Sequence, residues 1–192
     1  MAVRWLKRAT VRPEAQAEDT RPRVEALLAE IRRGGEDAIR RLSRDLDGWD
    51  GDIVVSRARI DAATARLPDQ VKADIRFAHG NIRRFAEAQR ATVTECEVEI
   101  LPGLIAGQRQ IPVSAAGCYV PGGRYSHIAS AIMTVTTARV AGVPHIAACS
   151  PARPGQGIPD PILFAMDLCG ADAILNLGGV QAVAAMAMGL FG

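Results

Sequence analysis

The residues of this sequence that could do chemistry gather in two short stretches. The first is Tyr119-Val120-Pro121-Gly122-Gly123 followed by Arg124-Tyr125-Ser126-His127, and the second is Gly178-Gly179-Val180-Gln181. Glycines let the backbone come close to a phosphate, and the N–H groups that open a following helix offer it partial positive charge. Arg124, Ser126 and His127 add a planar cation, a hydroxyl and an imidazole at such a helix start, which is the composition of an anion site. Tyr119 offers an aromatic ring and a hydroxyl, and Gln181 offers both a donor and an acceptor. Each stretch also has a plainer reading. The glycines can simply make turns, Ser126 can cap a helix, Arg124 can be a solvated side chain and Gln181 an exposed first-turn residue.

Other chemistries find no local support. A GxGxxG fingerprint with an acidic residue about 20 positions on is absent, as are a P-loop lysine and a Gly-x-Ser-x-Gly elbow. Cys96, Cys118, Cys149 and Cys169 are 22, 31 and 20 residues apart, and His79, His127 and His145 are 48 and 18 apart, so no local pair has zinc-ligand spacing. His79 reads as a surface or packing residue of a helix, and His145 as the opener of a strand. Asp160, Asp167 and Asp172 read as the solvated side of a helix.

The elements that must position the two stretches follow from periodicity. Val24, Leu27, Leu28 and Ile31 predict a helix behind Asp19 or Thr20, with Pro22 in its first turn and Gly34-Gly35 as its stop. A second helix runs from about Glu36 with Ile39, Leu42 and Leu46 on one face and ends at the turn Asp47–Gly51. Ser56 is the expected cap of a third, ending at Leu67-Pro68. Val71, Ile75, Ala78, Ile82 and Phe85 then form the seam of a long helix. From Ala91 the pattern alternates, through Val93, Cys96, Val98, Ile100, Leu104, Ile105 and Ile111-Pro112-Val113, and predicts a hairpin about Pro102-Gly103. Three strand–loop–helix units come next: Ala115–Val120 with Ser126–Ala141, His145–Cys149 with Pro161–Cys169, and Ala173–Leu177 with a helix to about Gly189. Alternation at this spacing means right-handed crossovers and a parallel sheet. The fold class is therefore α/β: a helical region over residues 1–90, then an incomplete Rossmann-like sheet over residues 91–192.

Charge marks the same boundary. Residues 1–100 hold 19 Lys+Arg and 18 Asp+Glu, and residues 101–192 hold only 4 and 3, as expected where strands are buried on both faces. A net charge of +2 gives no field to draw a nucleic acid. Ala182–Phe191, the longest nearly uninterrupted apolar run, is about half of the ~20 residues a membrane span needs. Met1–Arg8 lacks the apolar core of a signal peptide, so a cytoplasmic location with reduced, buried cysteines is expected. With few charges and no further strand or covering helix after Leu190-Phe191, the sheet is expected to pack against something else, either more of the same polypeptide or a partner chain.

Taken in order, Gly117–Gly123, Ala138–Val143, Ala148–Pro151, Leu168–Ala171 and Gly178–Ala187 resemble the histidinol dehydrogenase family. The resemblance covers roughly residues 20–192, and its most specific motifs lie between 117 and 192. It implies a zinc-dependent, homodimeric, NAD-using enzyme that oxidises a primary alcohol through a bound aldehyde to a carboxylate, reducing two NAD. By the same resemblance, Tyr119 and Gln181 match positions that contact NAD. The family's zinc ligands, its Glu–His proton relay and an NAD-contacting Asn would lie beyond residue 192. No catalytic residue is then expected here, and the chain alone is expected to be inactive.

One departure points to a branch. After Pro-Gly-Gly the chain reads Arg124-Tyr125-Ser126-His127-Ile128-Ala129-Ser130 and then Thr134-Val135-Thr136-Thr137, without the Leu-Ala-x-Pro-Ala segment usual in histidinol enzymes. This is more similar to the sulfopropanediol dehydrogenase branch, which oxidises 2,3-dihydroxypropane-1-sulfonate to sulfolactate. A sulfonate is a permanent anion suited to Arg124, Ser126 and His127, whereas histidinol brings a cationic amine. L-histidinol is the alternative substrate. A different class of reading, a complete non-catalytic nucleotide-binding or interaction module, stays open beside both.

Overall fold

In a computed structural model of the chain, residues 20–122 and 125–191 are described. The first helix, α1, spans Arg21–Leu42 and breaks at Gly35, whose φ of 53° and ψ of −135° are reached by glycine alone. The two expected helices are therefore two arms of one kinked rod. Thr20 precedes it without a side-chain cap. Ile31, Ile39 and Leu42 are buried, whereas Leu46, expected on the same face, is 48% exposed, because the wider turn Ser43–Asp47 rotates it outward before Gly48 ends the run.

Ser56 does cap the next helix, α2 (Arg57–Arg66), its Oγ accepting from the Arg59 N–H at 3.2 Å. Leu67 is extended at the helix end, as a residue before proline must be. The long helix α3 spans Asp69–Ala91. It packs through Val71, Ile75, Ala78 and Ile82, but Phe85 is 64% exposed and Ala86 is buried in its place. The stripe drifts by one residue in its last turn, and a small side chain there lets the neighbouring helix approach.

Strands β1 (Cys96–Leu101) and β2 (Leu104–Gln108) form the expected antiparallel hairpin, and every residue of both is exposed. Ile111-Pro112-Val113 belongs to neither strand. Beyond it lie β3 (Ala115–Tyr119), α4 (Ile128–Val140), β4 (His145–Ser150), α5 (Asp160–Cys169), β5 (Ala173–Asn176) and α6 (Gly179–Ala187). The three strands make a parallel sheet in the order β3-β4-β5.

Alternation within the strands sorts the core. Cys118, Ile146, Ala148 and Ile174 face α2 to α5, whereas Cys149 and Leu175 face α1 and α6. Helices therefore cover both faces, and α6 with α1 supplies a layer the sequence reading left out. The free edge of β5 is lined by residues 53–55: the Val55 N–H donates to the Ile174 carbonyl at 2.8 Å, and the Asn176 N–H to the Ile53 carbonyl at 2.8 Å. Among the described residues, what stays open is the outer edge of β3 and an apolar groove of about 520 Å³ between the sheet and α6, lined by Gly117, Ala147, Met186, Leu190 and Phe191 among others.

Candidate functional site

Both glycine stretches fall at the carboxyl ends of parallel strands, where open α/β sheets bind ligands. The loop that leaves β4 lies between them and begins with Pro151. A Cβ on Gly122 would stand 2.8 Å from Pro151 Cδ, and one on Gly178 would stand 2.7 Å from Pro151 Cγ. Both positions need glycine for space, and the proline ring locks the three loops together.

The second stretch is built from three directions. Tyr119, the last residue of β3, accepts a hydrogen bond on its hydroxyl from the Gly179 N–H at 3.2 Å. Gly179 has φ 58°, and a Cβ there would lie 3.0 Å from Gln181 Oε1. Gln181 is 2% exposed, which removes the plainer of its two readings, that of an open first-turn residue. Its Nε2 donates to Asp47 Oδ2 at 3.0 Å, and the same oxygen accepts from the Gly178 N–H at 3.3 Å. The structure thus brings Tyr119 and Gln181 to one turn and adds Asp47, which the sequence reading placed only in a polar turn. A pairing across 131 positions leaves no local signature.

The first stretch is assembled differently. Arg124 lies outside the described residues. Tyr125, Ser126 and His127 are exposed, and α4 begins after His127 with no side-chain cap, so Ser126 does not cap it. Ser126 instead borders a recess with Arg59, Arg66 and Arg153, three arginines that sequence reasoning did not connect.

The thiols and imidazoles do not form a reactive centre. Cys118, Cys149 and Cys169 are buried, and burial raises all three pKa values, that of Cys149 to about 12. Neutral, enclosed thiols are neither nucleophiles nor ready metal ligands. Cys96, expected to be buried, is exposed on the hairpin. His145 opens β4 as expected and His79 is half-buried on α3. Among the described residues no group of three or more His, Cys, Asp or Glu side chains could hold a metal ion, so the residues present do not fit a zinc site. None of the described helices is long and apolar enough to cross a membrane.

The glycine-loop sheet has solved and sequenced counterparts. The chain superposes on the crystal structure of histidinol dehydrogenase from Elizabethkingia anophelis with a TM-score of 0.83 at 29% identity, over 94% of this chain and 41% of that one. It is 55% identical over its whole length to a sulfopropanediol 3-dehydrogenase of Ruegeria pomeroyi, and 38% identical over 187 residues to a histidinol dehydrogenase of Methanothermobacter thermautotrophicus. It spans 44% and 43% of the lengths of those two relatives. The family model described as histidinol dehydrogenase matches residues 10–191, nearly the full chain. The chain belongs to the histidinol dehydrogenase family.

Proposed function

We propose that the chain is the NAD-binding portion of a zinc-dependent oxidoreductase that takes a primary alcohol to a carboxylate in two NAD-linked steps, with 2,3-dihydroxypropane-1-sulfonate as substrate and sulfolactate as product. The observation that carries the reading is the joining of Tyr119 and Gln181, 62 positions apart, at one glycine turn on the carboxyl edge of a parallel sheet. Residues 1–90 act as the helical region that props this turn through Asp47, and residues 91–192 as the dinucleotide-binding region.

NAD fits the residues present. The Gly178-Gly179 turn offers close backbone approach, and a Cβ at either position would meet a neighbour within 3.0 Å. Tyr119 presents its ring and hydroxyl beside the turn, and Gln181 donates to Asp47, which also accepts from the Gly178 N–H. When bound, NAD accepts the hydride leaving the alcohol carbon. This chain's part is to bind and orient it. Zinc ligands and proton-handling groups would come from residues outside this chain, which on its own would then lack dehydrogenase activity. The whole enzyme is proposed to be a cytoplasmic homodimer.

The sulfonate is favoured over L-histidinol by the greater likeness to the relative named for sulfopropanediol, 55% against 38%. In composition, Arg124, Ser126 and His127 suit a permanent anion. The test is NADH formation by the natural protein that carries this chain, offered each alcohol separately. Two NADH per sulfonate consumed bears the proposal out. NADH on histidinol alone moves the assignment to the second reading, and none on either alcohol leaves the non-catalytic module.

A further inference from the structure

The recess between α2 and the loop that leaves β4 has a volume of about 640 Å³ and is lined by Arg59, Arg66, Arg153, Ser126 and Asp160, among others. Its charges do not cancel. Asp160, in the first turn of α5, pairs with Arg59 Nη2 at 2.8 Å and with Arg66 through Nε at 2.8 Å and Nη2 at 2.9 Å. One carboxylate therefore fixes two guanidinium groups. Arg59 Nη2 is further held by the carbonyl oxygens of Gln156 and Ile158, at 3.4 and 3.2 Å.

Two donors are left over. Arg59 Nη1 is enclosed and has no hydrogen-bond partner, and an enclosed guanidinium nitrogen without an acceptor is costly. The Arg153 side chain has no ion pair or hydrogen bond among the described residues, although it borders the same space. Three arginines against one aspartate leave two positive charges in excess, beside the Ser126 hydroxyl and the N-terminal end of a ten-residue helix.

We propose that this recess is an oxyanion site that takes a phosphate or sulfonate group, with Arg153 as its cationic donor, Ser126 as its hydroxyl donor and the Asp160-held Arg59 and Arg66 as fixed positive charge beside them. Asp160 is its scaffold, holding the guanidinium planes so that little side-chain freedom is lost on binding. The site begins two residues past Pro151, the residue that locks the glycine loops. Its oxyanion could be a phosphate of the dinucleotide, the sulfonate of the substrate or a free oxyanion. The first two sources both rest on the functional reading above; the site itself does not.

The test is sulfate binding to the full chain, followed through the amide signals of Ser126, Gln156 and Gly179 by heteronuclear NMR. Sulfate should shift Ser126 and Gln156 saturably. Arg153→Ala should weaken that binding about tenfold or more, as loss of a charge-assisted pair does, and Arg153→Lys should weaken it less. Because Arg153 holds no other side chain, the variant should keep its fold, and Arg83→Ala on α3 controls for loss of one positive charge. Displacement of sulfate by NAD assigns the site to a cofactor phosphate, and displacement by 2,3-dihydroxypropane-1-sulfonate assigns it to the substrate. Displacement by neither, with the Arg153 effect intact, leaves a site for a free oxyanion. Equal effects of Arg153→Ala and Arg83→Ala, or no saturable shift at millimolar sulfate, would overturn the proposal. The Gly179 signal reports NAD at its own turn in the same samples, so failure of the NAD reading is seen separately.

Discussion

Gly178 lies in extended backbone, with φ −121° and ψ 179°, which any residue can adopt, so its requirement is for space. A methyl group there would press on Pro151 Cγ at 2.7 Å and approach Asp47 Oδ1 at 3.2 Å. A proline ring cannot swing aside, so Gly178→Ala should lower stability by about 1–3 kcal/mol, read from the denaturant midpoint at unchanged slope. Asp47 acts on the same turn through hydrogen bonds. Asp47→Ala strands the Gln181 carboxamide, which is nearly enclosed, and the Gly178 N–H, and should cost about 1–3 kcal/mol while weakening NAD binding. Tyr119→Phe removes only the hydroxyl that Gly179 uses and should raise the KM for NAD with little change in melting temperature; the reverse pattern would make Tyr119 a packing residue. The glycines, Tyr119 and Gln181 were legible in the sequence because glycine after a strand has a stated physical use. Asp47, Pro151 and Arg59 were not, since their roles exist only once residues more than 25 positions apart meet.

At the scale of elements, periodicity located nearly every helix and strand, and it misplaced two core residues within them. Leu46 carries the right spacing but sits in the wide turn Ser43–Asp47, and Phe85 sits within regular α3 where Ala86 is buried in its place. Pattern alone cannot register either displacement. The kink at Gly35 was read correctly as a stop, and its φ/ψ is closed to other residues, so Gly35→Ala should cost about 1–3 kcal/mol by equilibrium unfolding. The clamp between α2 and α5 gives a pH dependence. The hydrogen bond from Arg66, with Arg59 beside it, holds the Asp160 carboxyl below its ordinary value. A depressed folded pKa means stability that is present above the unfolded value of about 3.9 and lost as pH falls through the folded value. Unfolding midpoints should therefore drop below about pH 4. Arg66→Ala should make that drop shallower, and an unchanged acid limb would show the pair to be energetically idle.

For the whole molecule the deciding feature is apolar surface left in water. Both faces of the sheet carry helices, yet Val98, Ile100 and Ile105 on the hairpin are each 57–60% exposed, and Leu190 and Phe191 border a groove that nothing fills among the described residues. A two-stranded ribbon is marginal by itself, and an open strand edge such as that of β3 is a template for pairing. The isolated chain should therefore bind a hydrophobic dye and sediment with a mass that rises with concentration, and Ile100→Lys with Ile105→Lys should bring it back toward the 20.4 kDa monomer. Cysteine chemistry on the same sample separates association of the folded chain from aggregation of an unfolded one. Cys96 alone should react quickly with a thiol reagent, while Cys118, Cys149 and Cys169 wait for denaturant, because burial holds their thiols protonated. One fast thiol together with concentration-dependent mass means that the folded chain uses these surfaces for contact, as a portion of a larger enzyme would. A monomer at every concentration with one fast thiol would instead mean that the chain tolerates its own surface, and the non-catalytic module becomes the better account.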